Sequence, residues 1–596
     1  MFLKNKKRTV IYRSFKQFNE VKYLKDVSSI PFHVAEIFDC VDDAYWMCNV
    51  MLKDVVDEHA PLKTRFIKHN QVPYMNNELR KLINVKNMLK RKYDRQKNTS
   101  NWENYRKKRN AVTSLRKKSL KEYMKGKCEN DCTKFWDTVK PIISDKCKSS
   151  GVTVTLMEES KVINDPIMVG NTFNKYYVDI TKAIGQPDLI NADDTIENIL
   201  NKHRENEYVK RIRGDLGNPM RFMFKKVTID EMYKKLNTIN HKKATGFDRL
   251  PPKLIKLGAK VLCGPMVSLM NMSIEQATFP NALKCAEVIP IFKKGDMLDK
   301  KNYRPVSILP CISKIFEGIL IDQLKVYFEG VLSPHLSGFR KGYNCQSVLL
   351  NFVEKCKVNL DNNQVYGALL TDLSKAFDCL PHCLLLSKLN AYGVDVTACK
   401  LIASYFKERK QRVSICNNKS SWLELSKGAP QGSLFGPFAF NLFINDLLHI
   451  ISNMEIADLF NYADDNSVAC HDVNYEGVCK KLEKVSNIML KWFTDNYMQA
   501  NPSKFQLILF GSEHLDSSVV VDDIVIKAER CVKLLGVNID CTLGFNEHIN
   551  ETCKKAGRKL NVLGRLCKTL NVQDKLKLYQ AFILSQFNYC PCVAFL

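Results

Sequence analysis

The stretch NYADDNSV, residues 461–468, sets Asp464 beside Asp465 between two short apolar runs. Consecutive side chains of a regular strand point to opposite faces, so neighbouring acids within one strand cannot both address one point. At a tight hairpin turn they can, and Asp and Asn suit such turns. A solvated surface turn satisfies the same pattern, so a metal site requires a third carboxylate from elsewhere. VYGALLTD supplies one: Val365–Thr371 reads as a buried strand ending at Asp372. An acid at the end of a buried strand is costly unless it is paired or binds a cation. Asp372, Asp464 and Asp465 together form an oxygen donor set suited to a hard cation such as Mg2+.

Two further segments add parts. SKGAPQGSLFGPFAFNLFINDL (426–447) is a loop punctuated by Gly and Pro that feeds a long apolar helix. Gly428, Gly432 and Gly436 remove side chains where a second backbone or a ligand must approach, and Gln431 offers donor and acceptor at the apex. VIPIFKKGDMLDKKNYRPVSILP (288–310) sets Lys293, Lys294 and Arg304 around an apparent hairpin, cations able to hold a triphosphate. Residues 434–451 are apolar over nearly a membrane's thickness, but Pro437, Asn441, Asn445 and Asp446 argue for a buried core helix.

The chain's net charge of +27 suggests a polyanionic partner, with an anionic membrane surface as the other reading. Residues 61–150 hold 25 Lys and Arg against 8 Asp and Glu, and 89–127 reads as long helices with a basic face, fit for sequence-blind contact with nucleic acid or for simple solvation. The 22 cysteines form no C-x2-C pair, which fits a reducing compartment. The first residues lack an apolar signal core, so a nuclear or cytoplasmic protein without a transmembrane segment is expected.

With these residues in view, the chain resembles a reverse transcriptase, and most resembles the non-LTR (LINE-like, jockey-type) retrotransposon polymerases. NYRPVSILPCISKIFEGIL, LLTDLSKAFDCLPH, GAPQGSLFGP, NYADDNSV and VKLLGVNIDCTLGFNEHI stand in that family's order and spacing, and HKKATGFDRLPPKLIK (241–256) and SPHLSGFRKGYNCQSVLL (333–350) resemble further blocks of that branch. The resemblance implies an α+β right-hand polymerase of fingers, ferredoxin-like palm and partial helical thumb, preceded by a basic helical linker. It implies boundaries too: 1–60 a remnant C-terminal to a missing endonuclease, 61–220 the linker, 221–525 fingers and palm, 526–596 primer grip and partial thumb. Asp372 and Asp464 are then the pair bridging two Mg2+ ions, with Asp465 as third acid. Phe377 becomes the aromatic that excludes a ribose 2′-hydroxyl, and Gln431 lines the nucleotide pocket. Lys293 or Lys294, with Arg304, hold the triphosphate; Lys504 is a candidate general acid toward pyrophosphate. The implied partners are an RNA template, a DNA primer and deoxynucleoside triphosphates. Two positions depart from the pattern: Asn466, where a small hydroxyl residue is more usual, and Phe435, where an aliphatic is. A truncated, non-catalytic RNA-binding remnant and a maturase-like or telomerase-like relative are the competing readings.

Overall fold

A computed structural model describes residues 8–67, 74–128, 132–143, 154–183, 190, 193–217, 221–373, 375–511, 516–566 and 570–591. It is mixed α+β and divides into two compact units, one of residues 1–8, 66–152 and 545–596, the other of 9–65 and 153–544. Both the 61–220 and the 526–596 segments are therefore shared between units.

The larger unit is organised by two sheets. In the first, four antiparallel strands run in the order Asp458–Tyr462, Asp465–Asp472, Val365–Thr371, Gln506–Phe510. Val365–Thr371 has a neighbour on each side and is buried from Tyr366 onward, which explains its unbroken apolar character. Helix Tyr475–Asp495 buries Val478, Leu482, Val485, Met489 and Trp492, a spacing of three and four that marks its inward stripe. The second sheet has the order Leu423–Leu425, Arg409–Ile415, Cys285–Phe292, Tyr303–Ile308. Against it pack Phe173 and Tyr177 of helix Pro166–Ala183, in one cluster with Val288 and Val413. Tyr23, Val27, Tyr45 and Leu52, from the first sixty residues, belong to the unit's main core.

Helix Phe435–Ser452 lies inside that core, buried on nearly every face. Each of its polar side chains makes a hydrogen bond, Asn441 through its Nδ2 alone. Asn445 accepts from the Ser333 N–H at 2.7 Å and donates to the Val331 carbonyl at 3.2 Å, and Asn441 donates to the Gly338 carbonyl at 2.7 Å. Asp446 takes both of its oxygens to the Lys388 ammonium at 2.9 Å and accepts from Trp492 Nε1 at 3.0 Å. Among the described residues no helix is long and apolar enough to cross a membrane. Phe435 explains its own departure: it is buried against Tyr405, Phe406 and Phe438, with ring centroids 5.0, 5.6 and 6.3 Å away.

The smaller unit is helical. Tyr74, Leu120, Met124, Phe135 and Val139 share a core with Ala556, Leu563, Leu578 and Ile583, so helices from both ends of the chain build it.

Candidate active site

Strand register brings the three acids together. Thr371 is paired with Asn466 in an antiparallel ladder, so the next residues outward, Asp372 and Asp465, emerge side by side at one sheet end. Tyr462 is paired with Asp465, which leaves Ala463 and Asp464 as a two-residue turn. Ala463 adopts φ 58°, a left-handed conformation rare for a residue with a side chain and common where a site is held under constraint. Asn466 braces the turn. Asn461 donates to the Asn466 side chain at 2.7 Å and to the Ala463 carbonyl at 3.0 Å, and Asn466 donates to the Asp464 carbonyl at 3.3 Å. The amide at 466 thus spans a distance that a small hydroxyl cannot. Gly338 abuts the turn so closely that a Cβ on it would sit 2.3 Å from the Ala463 nitrogen.

Asp372 is held from another direction. Asn501 donates its N–H to the Asp372 carbonyl at 3.1 Å, and Lys504, three residues on, ion-pairs with the Asp372 carboxylate at 2.9 Å. The acids crowd one another enough to alter their chemistry. Loss of water around Asp465, then the charges of Asp464 and Asp372, push its pKa up to about 6, against a smaller opposing pull from Lys293. Their oxygens do not all lie within 4.8 Å of one another; among the described residues Asp26, Glu58 and His59 form the one set of three that does. The fit to a divalent cation therefore rests on the donor chemistry and on mutual repulsion that a cation removes, with Lys504 as the present counter-charge on Asp372. The raised pKa fixes a sign. A carboxyl with a higher pKa folded than unfolded stabilises the fold below the unfolded value and loses that contribution as pH rises through about 6. Without divalent metal, Asp465→Asn should raise the melting temperature at pH 7 by roughly a degree or two, solvent at the exposed Asp465 side chain screening part of the effect, and change nothing near pH 3. Thermal denaturation at the two pH values checks it.

Beside the acids opens a cavity of about 930 Å³, lined by Asp372, Asp464, Lys504, Lys293, Arg304, Phe377 and Gln431 among others. Lys294 and Asp465 do not line it. Lys293 and Arg304 come from the two arms of the Cys285–Phe292 and Tyr303–Ile308 hairpin, where Lys293 donates its N–H to the Asn302 carbonyl at 2.8 Å. The Phe377 ring is wedged 4.9 Å from Phe440 and 5.9 Å from Phe339. Gln431 is tied by its backbone to that basic hairpin, accepting from the Ser307 N–H at 2.8 Å.

One partner was not read from the sequence. Gln431 Nε2 donates to both oxygens of Asp378, at 2.8 and 3.0 Å. Asp378 is half-buried, and loss of water around its carboxylate raises its pKa, while Gln431 and Lys375 favour its charged form. Gly428 makes this packing possible: its φ is +74° and a Cβ would fall 2.4 Å from the Asp378 carbonyl oxygen. The acid in KAFDCLPH, six residues after Asp372, was the available signal. Tyr176, from helix Pro166–Ala183, also reaches the cavity, accepting from Lys375 Nζ at 3.0 Å.

Residues 291–539 match the family model for reverse transcriptase (RNA-dependent DNA polymerase), an interval that contains all nine candidate residues. The chain is 25% identical over 374 residues to the RNA-directed DNA polymerase from mobile element jockey of Drosophila funebris, covering 61% of this chain and 41% of that protein. It is 23% identical over 379 residues to a probable RNA-directed DNA polymerase from transposon BS, and 24% over 359 residues to one from transposon X-element, both of Drosophila melanogaster. These alignments cover 60% and 59% of this chain, and 41% and 39% of the relatives. The chain thus spans about two-fifths of the length of the curated relatives it matches.

Proposed function

Residues 291–539 being a reverse transcriptase domain related to those of jockey, BS and X-element, we propose that this chain is an RNA-directed DNA polymerase of a non-LTR retrotransposon, extending a DNA primer on an RNA template. The observation that carries the reading is the meeting of Asp372, Asp464 and Lys504 with Lys293, Arg304, Phe377 and Gln431 around one cavity, although these residues are scattered over more than two hundred positions. The four-stranded sheet takes the part of a ferredoxin-like palm, and the basic hairpin that of the fingers.

In the reaction, the primer 3′-oxygen attacks the α-phosphorus of the incoming nucleotide, the bond to the β-phosphate breaks, and pyrophosphate leaves. Catalysis of this kind is positioning and charge neutralisation. Asp372 and Asp464, with Asp465 beside them, would hold two Mg2+ ions; the chemistry these supply is activation of the 3′-hydroxyl and neutralisation of the leaving group. Lys293 and Arg304 draw the triphosphate to the hairpin, Arg304 with bidentate geometry. Gln431, its amide group steered by Asp378, faces the nucleotide. Lys504, ion-paired with Asp372, would be the group placed to pass a proton to departing pyrophosphate.

Purified protein should extend oligo(dT) on poly(rA) with Mg2+ and deoxynucleotide; no Mg2+-dependent product would refute the reading and leave the RNA-binding remnant. Within the reading, Phe377→Val should remove the ring that meets a 2′-hydroxyl. Ribonucleotide incorporation relative to deoxynucleotide should then rise by roughly tenfold or more, as expected for a steric clash worth at least about 1.4 kcal/mol. An unchanged ratio would remove Phe377 from that role.

A further inference from the structure

Helices Asn77–Arg95 and Thr99–Tyr123 carry 15 Lys and Arg against 4 Asp and Glu. At 1.5 Å per residue they run about 28 and 37 Å, lengths that bare helices of this composition reach only with support. Packing supports them along their shared seam alone, where Leu82, Ile83, Leu89, Ala111, Val112 and Leu115 are half-buried; between Leu79 and Ser119 the single fully buried residue is Asn101, whose side chain donates to the Gln96 carbonyl at 3.1 Å and fastens the turn. A helix solvated on all but a narrow seam is ordinarily held by oppositely charged pairs one turn apart. Among the described residues this hairpin forms one, Lys90 to Asp94 at 2.9 Å. The runs Arg106–Arg109 and Arg116–Lys118 set like charges side by side, a cost that a polyanion would remove.

The closed end of the hairpin adds a second observation. Trp102 stacks obliquely between Tyr93 and Tyr105, with centroids 5.2 and 5.8 Å away, and Lys90 lies over both tyrosines. Trp102 nevertheless stays 37% exposed. A braced aromatic with an open face among cations is the combination that grips single strands, where phosphates meet the charges and a base stacks on the ring.

We propose that the hairpin holds single-stranded RNA, its phosphates along the two helices and a base against Trp102. Charge and stacking point to a single strand; its being RNA rests on the polymerase reading, in which unpaired template is the strand such a protein must hold. The binding would be sequence-blind and strongly dependent on salt.

Binding of the full chain to a labelled, unstructured 30-nucleotide RNA, followed by anisotropy over a salt series, tests this. Lys107→Glu/Lys108→Glu/Arg109→Glu should weaken binding tenfold or more and lower the slope of log affinity against log salt by about 2, at about 0.7 for each phosphate set free. Trp102→Ala should weaken it about fivefold or more with the slope unchanged. Circular dichroism confirms that both variants retain their helices. Unaltered affinity and slope would overturn the assignment, and so would duplex DNA competing as well as the single-stranded RNA. On a short annealed primer–template the triple variant should still extend. Loss of RNA binding in the variants, in a protein that never extends a primer, would sink the polymerase reading while leaving the hairpin's role supported.

Discussion

Asp464→Asn should yield a folded protein whose primer extension falls by roughly 10³-fold or more, close to the limit of detection. The fold stays intact for a local reason. What secures the turn around Asp464 is its main-chain carbonyl, bonded by Asn466, and the amide ladder between Asn461 and Asn466. An asparagine side chain has the same size and suits a two-residue turn equally well. Activity falls for an electrostatic reason. Removing one charged or polar group aimed at developing charge commonly costs 10²–10³ in rate, and a metal-bridging carboxylate should stand at the upper end. A thousandfold loss is about 4 kcal/mol of transition-state stabilisation. Single-turnover extension at saturating deoxynucleotide, with a melting curve beside it, gives the answer. Extension within tenfold of the parent would remove Asp464 from the reaction, and with it the proposed mechanism.

Lys388→Ala should act on stability alone, and strongly. The Lys388 and Asp446 side chains are 1% and 4% exposed, and each satisfies the other inside the core. Burial lowers the pKa of Lys388 to about 8, with Asp446 pulling the other way. The ammonium also sits 4.3 and 4.5 Å from the Phe443 and Trp492 rings. Deleting one partner strands the other's charge in a medium that cannot solvate it, at a cost of about 3–5 kcal/mol. Lys388→Met combined with Asp446→Leu should recover most of that loss, short of the acceptor that Trp492 Nε1 would no longer have. Thermal unfolding of the single and double variants decides: a Lys388→Ala protein melting with the parent would show that the pair contributes little.

Much of the candidate site could be read from the chain itself, because each acid sits where an apolar run stops. Strand pairing alone then determines that Asp372 and Asp465 become neighbours. The mixed α+β class and the buried nature of the 435–452 helix were legible for the same reason: periodicity and interrupting polar residues are local properties. Partnership across the fold was not. Nothing near Gln431 announces Asp378, and Lys388, in HCLLLSKLNA, looks like any helical lysine until helix Phe435–Ser452 is laid against it. Likewise Asn466 and Phe435 looked like departures, and gained reasons only once Asn461 and Tyr405 were seen beside them. The basic stretch read correctly as helices, but its division from the rest did not follow charge. Residues 66–152 join 545–596 because Leu120, Met124 and Phe135 find their apolar partners at Ala556, Leu563 and Leu578.

That shared core has a consequence for how the protein is made. A ribosome delivers residues 66–152 well before 545–596, and at about 5–20 residues per second the gap of nearly four hundred residues lasts roughly 20–80 s. For that interval Leu120, Met124, Phe135 and Val139 lack half of their apolar cover, so the earlier helices must wait while the intervening sheets assemble. Maturation of the helical unit is therefore timed by elongation: the emergence of residues 545–596, not local helix formation, sets when it can close.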